Sequence, residues 1–234
     1  MKQVAALQSN YIPWKGYFDI IHDVDLFVFY DDVQYTQRDW RNRNKIKTAN
    51  GDLWLSVPVY SQNKYKQLIH EIVIDNTQNW QKKHFNSIKQ SYSKTPFWNK
   101  YKVFFEYVYL EEKWTSLSEL NQYLIKSISC DFLGCKTQFA DSRDFASEGT
   151  KHKKLLSLVK ATNADVYLSG SAAKDYIIES DYNKDSIEII WKDYSGYPEY
   201  SQLHGEFCHN VSVLDLLFNT GDEAPYYIWG WCNK

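Results

Sequence analysis

Two loops near the start of the chain combine aromatic, amide, acidic and guanidinium side chains. The first follows a short apolar run, Val4 to Leu7, and the second follows the apolar run Leu26 to Tyr30. Loops fixed by a rigid strand carry much of the binding and catalytic chemistry of proteins, so this mixture predicts a functional site. Its candidate residues are Gln8, Asn10, Tyr11 and Trp14 in the first loop, Asp31, Asp32 and Gln34 in the second, and Trp40, Arg41, Asn42 and Arg43 shortly after it.

The first loop lies between a predicted strand and a predicted helix. There, backbone N–H groups at the helix N-terminus can receive an anion such as a phosphate, with Asn10, Tyr11 and Trp14 beside it. This arrangement indicates a nucleotide or phosphosugar pocket. The alternative is a tight hydrophobic turn, in which Pro13 fixes the backbone and Gly16 permits close packing.

Asp31 and Asp32 come directly after an apolar strand. Neighbouring residues of a strand point to opposite sides, so at most one of the two carboxylates faces the crevice at the strand ends. That carboxylate could act as a general base or as a magnesium ligand. The alternative is a strand-end turn in which the carboxylate pairs with an arginine.

The densest cluster of positive charge lies between residues 38 and 47. Its arginines could hold phosphates while Trp40 stacks on a base or a sugar. The same alternation also fits one solvated face of a strand that leads into Ile46. Because the net charge is −2 and the pI is near 6.3, we expect a small anionic ligand rather than a nucleic acid. The cluster consists of Arg38, Arg41, Arg43 and Lys45, interleaved with Trp40, Asn42 and Asn44.

A third candidate loop follows the predicted strand Val166 to Leu168. Gly170 and the hydroxyl of Ser171 could hold a phosphate, with Lys174 adding positive charge. The loop is not a Walker A sequence. The alternative is that Ser171 caps the helix that follows.

The cysteines and histidines predict no metal site. His204, Cys208 and His209 match no standard zinc spacing, and we interpret Cys208 as a structural thiol because no thiolate-stabilising base is evident. All four cysteines are expected to be reduced, as in the cytosol. Without a signal segment or an apolar run near ~18 residues, the sequence predicts a cytoplasmic protein with no membrane span.

The elements that must position these residues follow an α/β pattern. Residues 4–30 predict a parallel β-α-β unit, whose loops form a crevice at the strand ends. Two more strands are predicted at Asp52 to Val59 and Leu68 to Ile74, joined by the polar stretch Ser61 to Lys66. Three amphipathic helices follow, and the third begins at a capping box with Ser116.

The α/β pattern resumes in the second half of the chain. Its predicted elements are a helix at Lys153 to Ala161, a strand at Val166 to Leu168, a helix from Ala172 to Ile177, a strand at Ile187 to Trp191, and a final helix at Val213 to Phe218 that is capped by Ser212. We therefore expect one α/β domain over residues 1–234, with a Rossmann-like, mostly parallel sheet and a helical insertion at about residues 76–135.

Five long motifs in the chain resemble the WbqC-like family of bacterial proteins. They are Q-x-N-Y-x-P-W-x-G-Y-F at Gln8 to Phe18, D-x-F-V-F-x-D-D-V-Q at Asp25 to Gln34, R-N-R-x-K-I-K at Arg41 to Lys47, Y-L-S-G-x-A-x-K-D-Y at Tyr167 to Tyr176, and Y-x-Q with S-V-L-D-L-L-F-N-x-G between Tyr200 and Gly221. The resemblance spans nearly the whole chain. It adds Tyr176, Tyr200 and Gln202 to the expected substrate-binding residues.

Members of this family are associated with genes for O-antigen and other surface polysaccharides. The resemblance implies modification of an activated sugar, by acyl or aminoacyl transfer onto an amino sugar. We therefore expect a cytoplasmic transferase that acts on a nucleotide-linked sugar. In this prediction the diphosphate is neutralised by Arg41, Arg43 and Lys174, the base or sugar stacks on Trp14 and Trp40, and the proton of the attacking amine goes to Asp31 or Asp32.

Two other functions stay open. The first 30 residues distantly resemble the start of the HIGH-type nucleotidyltransferases, although the histidines of that signature are absent, so an adenylate-forming enzyme that uses ATP and Mg²⁺ is one alternative. The other is a non-catalytic module that binds sugar nucleotides or glycans, because 17% of the residues are aromatic and could form a binding platform.

Overall fold

A five-stranded parallel sheet forms the centre of the computed structural model, which describes residues 1–60 and 67–233. The strands in these residues are β1 (Gln3–Leu7), β2 (Leu26–Phe29), β3 (Arg43–Thr48), β4 (Gly51–Ser56), β5 (Gln138–Asp141), β6 (Val166–Gly170) and β7 (Glu188–Lys192). The sheet has the order β5-β2-β1-β6-β7. Taken in chain order this is 3-2-1-4-5, the order of a doubly wound Rossmann-like fold, so the predicted fold class is confirmed.

Helices cover both faces of this sheet. They are α1 (Lys15–His22), α2 (Trp80–Tyr92), α3 (Trp98–Glu106), α4 (Leu117–Ser127), α5 (His152–Ala161), α6 (Glu179–Lys184) and α7 (Val213–Thr220). On one face, Ala5 of β1 belongs to a core with Phe18 of α1 and Leu214 of α7. On the other face, Val4 of β1 packs in a second core with Leu158 of α5. This alternation of neighbouring β1 residues is the period of two that a strand requires.

The predicted β-α-β unit at the start of the chain is present. Strands β1 and β2 pair in parallel, with Val4 opposite Leu26 and Leu7 opposite Phe29. The connecting helix buries Phe18, and burying one such aromatic side chain contributes roughly 1.5–3 kcal/mol to folding. Both strands therefore end on the same edge of the sheet, and their following loops meet there.

Helices α2, α3 and α4 follow the three predicted amphipathic patterns. The predicted cap of α4 is confirmed, because the Ser116 hydroxyl accepts a hydrogen bond of 3.3 Å from the Glu119 N–H. A π-helical turn continues α4 to Phe132, and Gly134, with a φ of +72°, ends it. At α7, the Ser212 hydroxyl accepts a hydrogen bond of 3.3 Å from the Leu214 N–H, so this predicted cap is also present.

The structure corrects three predicted elements. Leu68 to Ile74 is not a strand, because a short 3₁₀ turn, Ile69–Glu71, interrupts it and the segment pairs with its neighbours only through isolated bridges. Ala172 to Ile177 is not an α-helix; a 3₁₀ turn, Ser171–Asp175, takes its place. The predicted strand Asp52 to Val59 is shorter, ending at Ser56. The predicted connection Ser61 to Lys66 lies outside the described residues.

Strand β5 was absent from the sequence prediction. It has four residues, lies at the edge of the sheet and is only half buried, so it lacks the continuous apolar run that identifies β2. Within residues 1–60 and 67–233, no helix is both long and apolar enough to cross a lipid bilayer.

Candidate functional site

The carboxyl-terminal edge of the sheet contains a cavity where β1 and β6 lie side by side. The chain runs from β1 to β2 on one side, and β6 lies on the other, so this is the point at which the strand order reverses. Ligands of open α/β sheets bind at such points. The space measures about 250 Å³ and we call it the crevice cavity; it is lined by Leu7, Gln8, Asn10, Tyr17, Arg41, Ser169, Gly170, Ala172, Ala173 and Tyr176.

A larger cavity of about 670 Å³ adjoins it. One wall comes from the β1–α1 loop and the other from the antiparallel hairpin β3–β4, which is separate from the central sheet. Tryptophan, asparagine and cationic side chains predominate in its lining, so we call it the tryptophan cavity. Its lining residues are Asn10, Pro13, Trp14, Trp40, Arg43, Asn44, Lys45, Trp54 and Asn210.

Asn10 lines both cavities. Its side-chain oxygen is buried and has no hydrogen-bond partner within the described structure, and the same holds for the Nε atoms of Arg41 and Arg43. A buried polar atom without a partner costs about 1–3 kcal/mol. The Asn10 oxygen needs a hydrogen-bond donor and the two Nε–H groups need an acceptor, so a ligand that carries both could supply the missing partners once these side chains turn toward the junction of the two cavities.

Hydrogen bonds from three segments hold the β1–α1 loop in place. The Tyr11 N–H donates to the Trp40 carbonyl at 3.0 Å, and the Asn44 side-chain amide donates to the Tyr11 carbonyl at 3.2 Å. From the start of α7, the Val213 N–H donates to the Pro13 carbonyl at 2.9 Å. Ile12 has a φ of +37°, which is strained for a β-branched residue and is maintained by these neighbouring contacts.

Alternate side chains of β3 in the hairpin point toward the tryptophan cavity. Asn44 is buried, whereas Arg43 and Lys45 on either side of it reach the cavity. The Arg43 guanidinium lies 4.5 Å from the centre of the Trp54 ring, and the Lys45 ammonium pairs with Asp52 at 2.6 Å. The predicted alternation of a strand face is therefore present, and that face lines a cavity.

Arg41 is the cation of the crevice cavity. Its guanidinium pairs with Asp39 at 3.1 Å, and its carbonyl accepts a hydrogen bond of 2.8 Å from the buried Asn121 side chain. Burial raises the pKa of the Tyr176 hydroxyl, and the nearby positive charge of Arg41 opposes this shift. The Tyr17 hydroxyl donates to the Gln8 carbonyl at 3.0 Å, which ties the cavity wall to β1. The cavity thus combines one cation with polar groups held in fixed positions.

Residues 8–227, which include every lining residue of both cavities except Leu7, match the sequence pattern of the WbqC-like protein family. The chain belongs to the WbqC-like protein family. It is also 46% identical over 228 residues to the uncharacterized protein Rv1507c of Mycobacterium tuberculosis, covering 97% of this chain and 98% of that protein. No solved structure matches the chain.

The crevice and tryptophan cavities bring together many of the predicted binding residues of this WbqC-like chain. The crevice cavity collects those from the ends of β1 and β6, and the tryptophan cavity collects those with aromatic and cationic side chains. The predicted residues that line one or both cavities are Gln8, Asn10, Trp14, Trp40, Arg41, Arg43, Gly170 and Tyr176.

Asp31 lies beneath the WbqC-like site and lines neither cavity. Its carboxylate is fully buried and accepts hydrogen bonds from the Ser9 N–H at 2.8 Å and the Ser118 hydroxyl at 2.5 Å. Burial raises the pKa of Asp31, and these hydrogen bonds partly offset the shift. The carboxylate therefore joins the β1–α1 loop to α4 and has no exposed surface for a substrate amine.

Asp32 is also occupied by neighbouring side chains. Its carboxylate pairs with the Lys154 ammonium at 2.6 Å and accepts a hydrogen bond of 2.6 Å from the Ser142 hydroxyl. The alternative of a strand-end ion pair fits this geometry, with a lysine in the place of the expected arginine. Neither cavity is lined by Asp32.

The loop after β6 contributes fewer of its predicted binding residues to the two cavities than its sequence indicated. Lys174 is exposed and its ammonium lies 5.4 Å from the centre of the Trp191 ring, outside the lining of both cavities. Ser171 is exposed and makes no side-chain cap, because the cap position of the 3₁₀ turn is Gly170. The predicted cap by Ser171 is therefore absent, and the Ser171 side chain lies outside the lining of both cavities.

Tyr11, Tyr200 and Gln202 belong to buried or half-buried networks away from the cavities. The Tyr200 hydroxyl donates to Asp215 at 3.0 Å, and burial is the main cause that raises its pKa. The Gln202 side chain donates to the Cys208 carbonyl at 2.9 Å and accepts from the Cys208 N–H at 2.9 Å. The Tyr11 ring is fully buried. These three side chains stabilise the fold and lie outside the lining of both cavities.

Two further predicted residues serve the hairpin region. The Asn42 side chain donates to the Val57 carbonyl at 2.9 Å, and Gln34 forms an isolated bridge with Leu68. Neither residue lines a cavity.

Among the cysteines with described side chains, Cys130, Cys135 and Cys208 are free thiols, and burial raises the pKa of Cys135 to about 12. The described residues contain no cluster of histidine, cysteine and carboxylate side chains that could hold a metal ion.

Several residues that line the two cavities were not predicted from the sequence. Trp54 has the most exposed aromatic side chain among them. Its signal was present in the sequence, since period-two alternation in β4 buries Leu55 and leaves Trp54 on the opposite face. That face is the one that carries Arg43 and Lys45 on the paired strand, because Lys45 stands opposite Trp54 in the hairpin register.

Proposed function

We propose that this WbqC-like protein is a transferase that modifies a nucleotide-linked amino sugar in the biosynthesis of surface polysaccharides. The observation that carries the proposal is that Asn10 lines two adjoining cavities at the reversal point of the sheet. Nucleotides bind at this place in doubly wound folds. The partner-free Nε atoms of Arg41 and Arg43 support an anionic ligand, because arginine suits diphosphate oxygens.

The reaction class is acyl or aminoacyl transfer. The nitrogen of the amino sugar would attack the carbonyl carbon of an activated acyl donor, so that a C–N bond forms and the bond between that carbon and the leaving group breaks. The proton lost by the amine would go to the departing leaving group. An amine is nucleophilic only in its neutral form. In this proposal the positive charges of Arg41 and Arg43 bind and neutralise the diphosphate.

The proposal places the enzyme in the cytoplasm. Free thiols at Cys130, Cys135 and Cys208 are stable in a reducing compartment, which supports this placement.

A ligand screen tests the proposal. Thermal unfolding is measured with UDP-, GDP-, CDP- and dTDP-linked amino sugars, with ATP and Mg²⁺, and with acyl-CoA, because a ligand that binds the folded state raises the Tm. We expect one nucleotide sugar to raise the Tm, and Arg41→Ala to abolish the response. The exposed cation Lys83 on α2 supplies a matched control, since Lys83→Ala removes a charge outside the cavities.

Turnover is followed by mass spectrometry of the nucleotide sugar, which gains the mass of an acyl or aminoacyl group. A response to ATP alone, with pyrophosphate release, would contradict the proposal and favour an adenylate-forming enzyme.

A non-catalytic sugar-nucleotide binding module is the second candidate. The observation that favours it is that, within residues 1–60 and 67–233, no carboxylate or imidazole side chain lines either cavity. Such groups are the usual proton acceptors near neutral pH. Saturable binding of a nucleotide sugar, without turnover across acyl-CoA and aminoacyl donors, would select this function over the transferase.

A further inference from the structure

We infer that a nucleotide-linked sugar lies across both cavities in one orientation: its base in the tryptophan cavity, its diphosphate at Asn10, and its sugar in the crevice cavity. The inference rests on the proposed function and adds the direction of the substrate. It also identifies the crevice cavity as the place where the sugar is modified.

The tryptophan cavity has the chemistry of a base site. Trp40 and Trp54 keep 44% and 43% of their surface exposed, and their ring centres are 5.5 Å apart at an angle of 35°. Bases of every type stack on such indole faces. The exposed Asn210 carries a hydrogen-bond donor and an acceptor side by side, as a base edge does. The buried Asn44 contributes to the cavity wall, and its amide is already hydrogen-bonded to the Tyr11 carbonyl and the Lys45 N–H.

The indole of Trp54 is also fixed in place. The Arg43 guanidinium lies 4.5 Å from the ring centre, and the Lys45 ammonium lies 5.9 Å from it. Contacts of this kind stabilise an exposed ring by about 0.5–1 kcal/mol. A pre-positioned ring loses little conformational entropy when a base stacks on it, which favours affinity.

The junction of the cavities has the chemistry of a diphosphate site. Asn10 belongs to both linings, Arg41 lies on the crevice side and Arg43 on the tryptophan side. The buried Nε–H groups of Arg41 and Arg43 have no partner in the described structure and can donate to phosphate oxygens when the guanidinium groups turn into the junction. The side-chain amide of Asn10 can donate to a phosphate oxygen through its NH₂ group. Lys45 already pairs with Asp52 at 2.6 Å, so Arg43 is the cation of the tryptophan cavity that is better able to bind an anion.

The crevice cavity suits the sugar by size and lining. At about 250 Å³ it is less than half the volume of its neighbour, about 670 Å³, and therefore suits the smaller end of the ligand. Gly170, Ala172 and Ala173 supply small walls, and Ser169 and Tyr176 supply hydroxyl groups. A sugar ring there could hydrogen-bond to hydroxyl groups, whereas the cavity contains no tryptophan on which a base could stack.

Calorimetric titration of paired ligands tests the orientation. UDP, GDP, CDP and dTDP are each compared with the same nucleotide carrying an amino sugar, for the wild type, Trp54→Ala and Tyr176→Ala. Trp54→Ala is expected to lower the affinity for the nucleoside diphosphate and for the nucleotide-linked amino sugar alike, on the order of tenfold, because both ligands contain the base. Tyr176→Ala is expected to lower the affinity for the nucleotide-linked amino sugar severalfold and to leave the affinity for the nucleoside diphosphate unchanged.

Matched variants separate contact from folding. Trp54→Phe keeps an aromatic face and should retain most of the affinity, and Tyr176→Phe keeps the ring but removes the hydroxyl. In the wild type, intermolecular NMR contacts are expected between indole and base protons, and between the Tyr176 ring and sugar protons. This measurement decides the orientation even if an alanine variant fails to fold.

Two results would overturn the inference in different ways. The orientation would be wrong, while the proposed function stood, if Trp54→Ala lowered the affinity for the nucleotide-linked amino sugar alone. The same would follow if Tyr176→Ala lowered the affinity for both ligands equally. If the wild type bound no nucleoside diphosphate and no nucleotide sugar, the proposed function would fail and the orientation with it.

Discussion

The Tyr11 hydroxyl lies 2.8 Å from Nδ1 of His84, and this hydrogen bond joins the β1–α1 loop to helix α2 inside the core. The same hydroxyl lies 2.6 Å from that of Tyr109, so three buried side chains share two hydrogen bonds. The loop that supplies Asn10 to both cavities is therefore attached to the helical segment. Its position depends on the imidazole staying neutral.

The first prediction concerns this imidazole. Burial lowers the pKa of His84 from its ordinary value of 6.5 to about 4. Below pH 6.5 the unfolded chain binds a proton at this residue and the folded chain does not, so folding stability falls as the pH drops from 6.5 toward 4. The full difference is about 3 kcal/mol. Urea unfolding at pH 7 and pH 4.5 measures it.

The variant His84→Gln isolates this group from the other groups that titrate in the same range. We expect it to be less stable than the wild type at pH 7, and to lose the part of the pH dependence that belongs to the imidazole. An equal loss of stability between pH 7 and 4.5 in both proteins would contradict the neutral, buried assignment.

The second prediction concerns the buried carboxylate of Asp31. Asp31→Asn replaces an acceptor by a donor opposite the Gln122 side chain, which donates to the carboxylate at 3.3 Å. We expect a loss of about 1–3 kcal/mol in unfolding free energy. Because the carboxylate is fully buried, turnover per folded molecule in the proposed transfer reaction should stay close to the wild-type rate.

Asp32→Asn serves as the matched comparison, because its half-buried carboxylate is paired with Lys154. Turnover should persist in this variant also. A well-folded Asp31→Asn or Asp32→Asn protein that binds the substrate but has lost turnover would restore the role of a proton acceptor to that carboxylate.

The third prediction concerns the contact between Gly16 and Trp14. A Cβ atom on Gly16 would lie 2.3 Å from the Trp14 ring, which cannot be accommodated without moving the indole. Gly16→Ala is expected to cost about 1–3 kcal/mol of stability. It should also weaken nucleotide binding, since Trp14 lines the tryptophan cavity.

The double variant provides the control for this contact. In a Trp14→Ala background the clash is absent, and Gly16→Ala should be neutral or stabilise the first turn of α1 by up to about 1 kcal/mol. Urea unfolding of the four proteins gives the coupling energy. A cost for Gly16→Ala that is the same in both backgrounds would show that the indole is not responsible.

The fourth prediction uses the buried oxygen of Asn10 that has no partner. Asn10→Ala removes a buried oxygen that has no hydrogen-bond partner in the described structure, so the variant should be at least as stable as the wild type and its Tm should not fall. Affinity for a nucleotide sugar should fall about tenfold or more, because the NH₂ group of the Asn10 side chain can no longer donate to a diphosphate oxygen, and a hydrogen bond to a charged group contributes roughly 1.5–3 kcal/mol. Calorimetry measures the affinity.

Asn210→Ala is the comparison for Asn10→Ala, because Asn210 lines the tryptophan cavity alone. Its effect on the nucleoside diphosphate and on the nucleotide sugar should be equal. If Asn10→Ala bound every nucleotide as tightly as the wild type, the junction of the cavities would not be the diphosphate site.

The sequence alone predicted those features that depend on local pattern. The apolar runs of β1 and β2, with the short amphipathic helix between them, predicted the parallel unit that the structure contains. The capping serine Ser116 predicted the start of α4. Long motifs predicted the family, and the alternation of Arg43 and Lys45 predicted one face of a strand. Each of these signals lies within a short segment, where side-chain period and capping chemistry decide the outcome.

Tertiary structure decided which of these residues share a cavity. The hairpin β3–β4 brings Trp54 against Trp40, and the reversal of strand order brings Gly170 beside Asn10. Tyr11 and Asp31 carry side chains that look functional, yet both are fully buried. Local pattern cannot separate a buried hydrogen-bonded polar group from an exposed one, because its burial depends on segments far away in the chain, such as α2 for Tyr11 and α4 for Asp31.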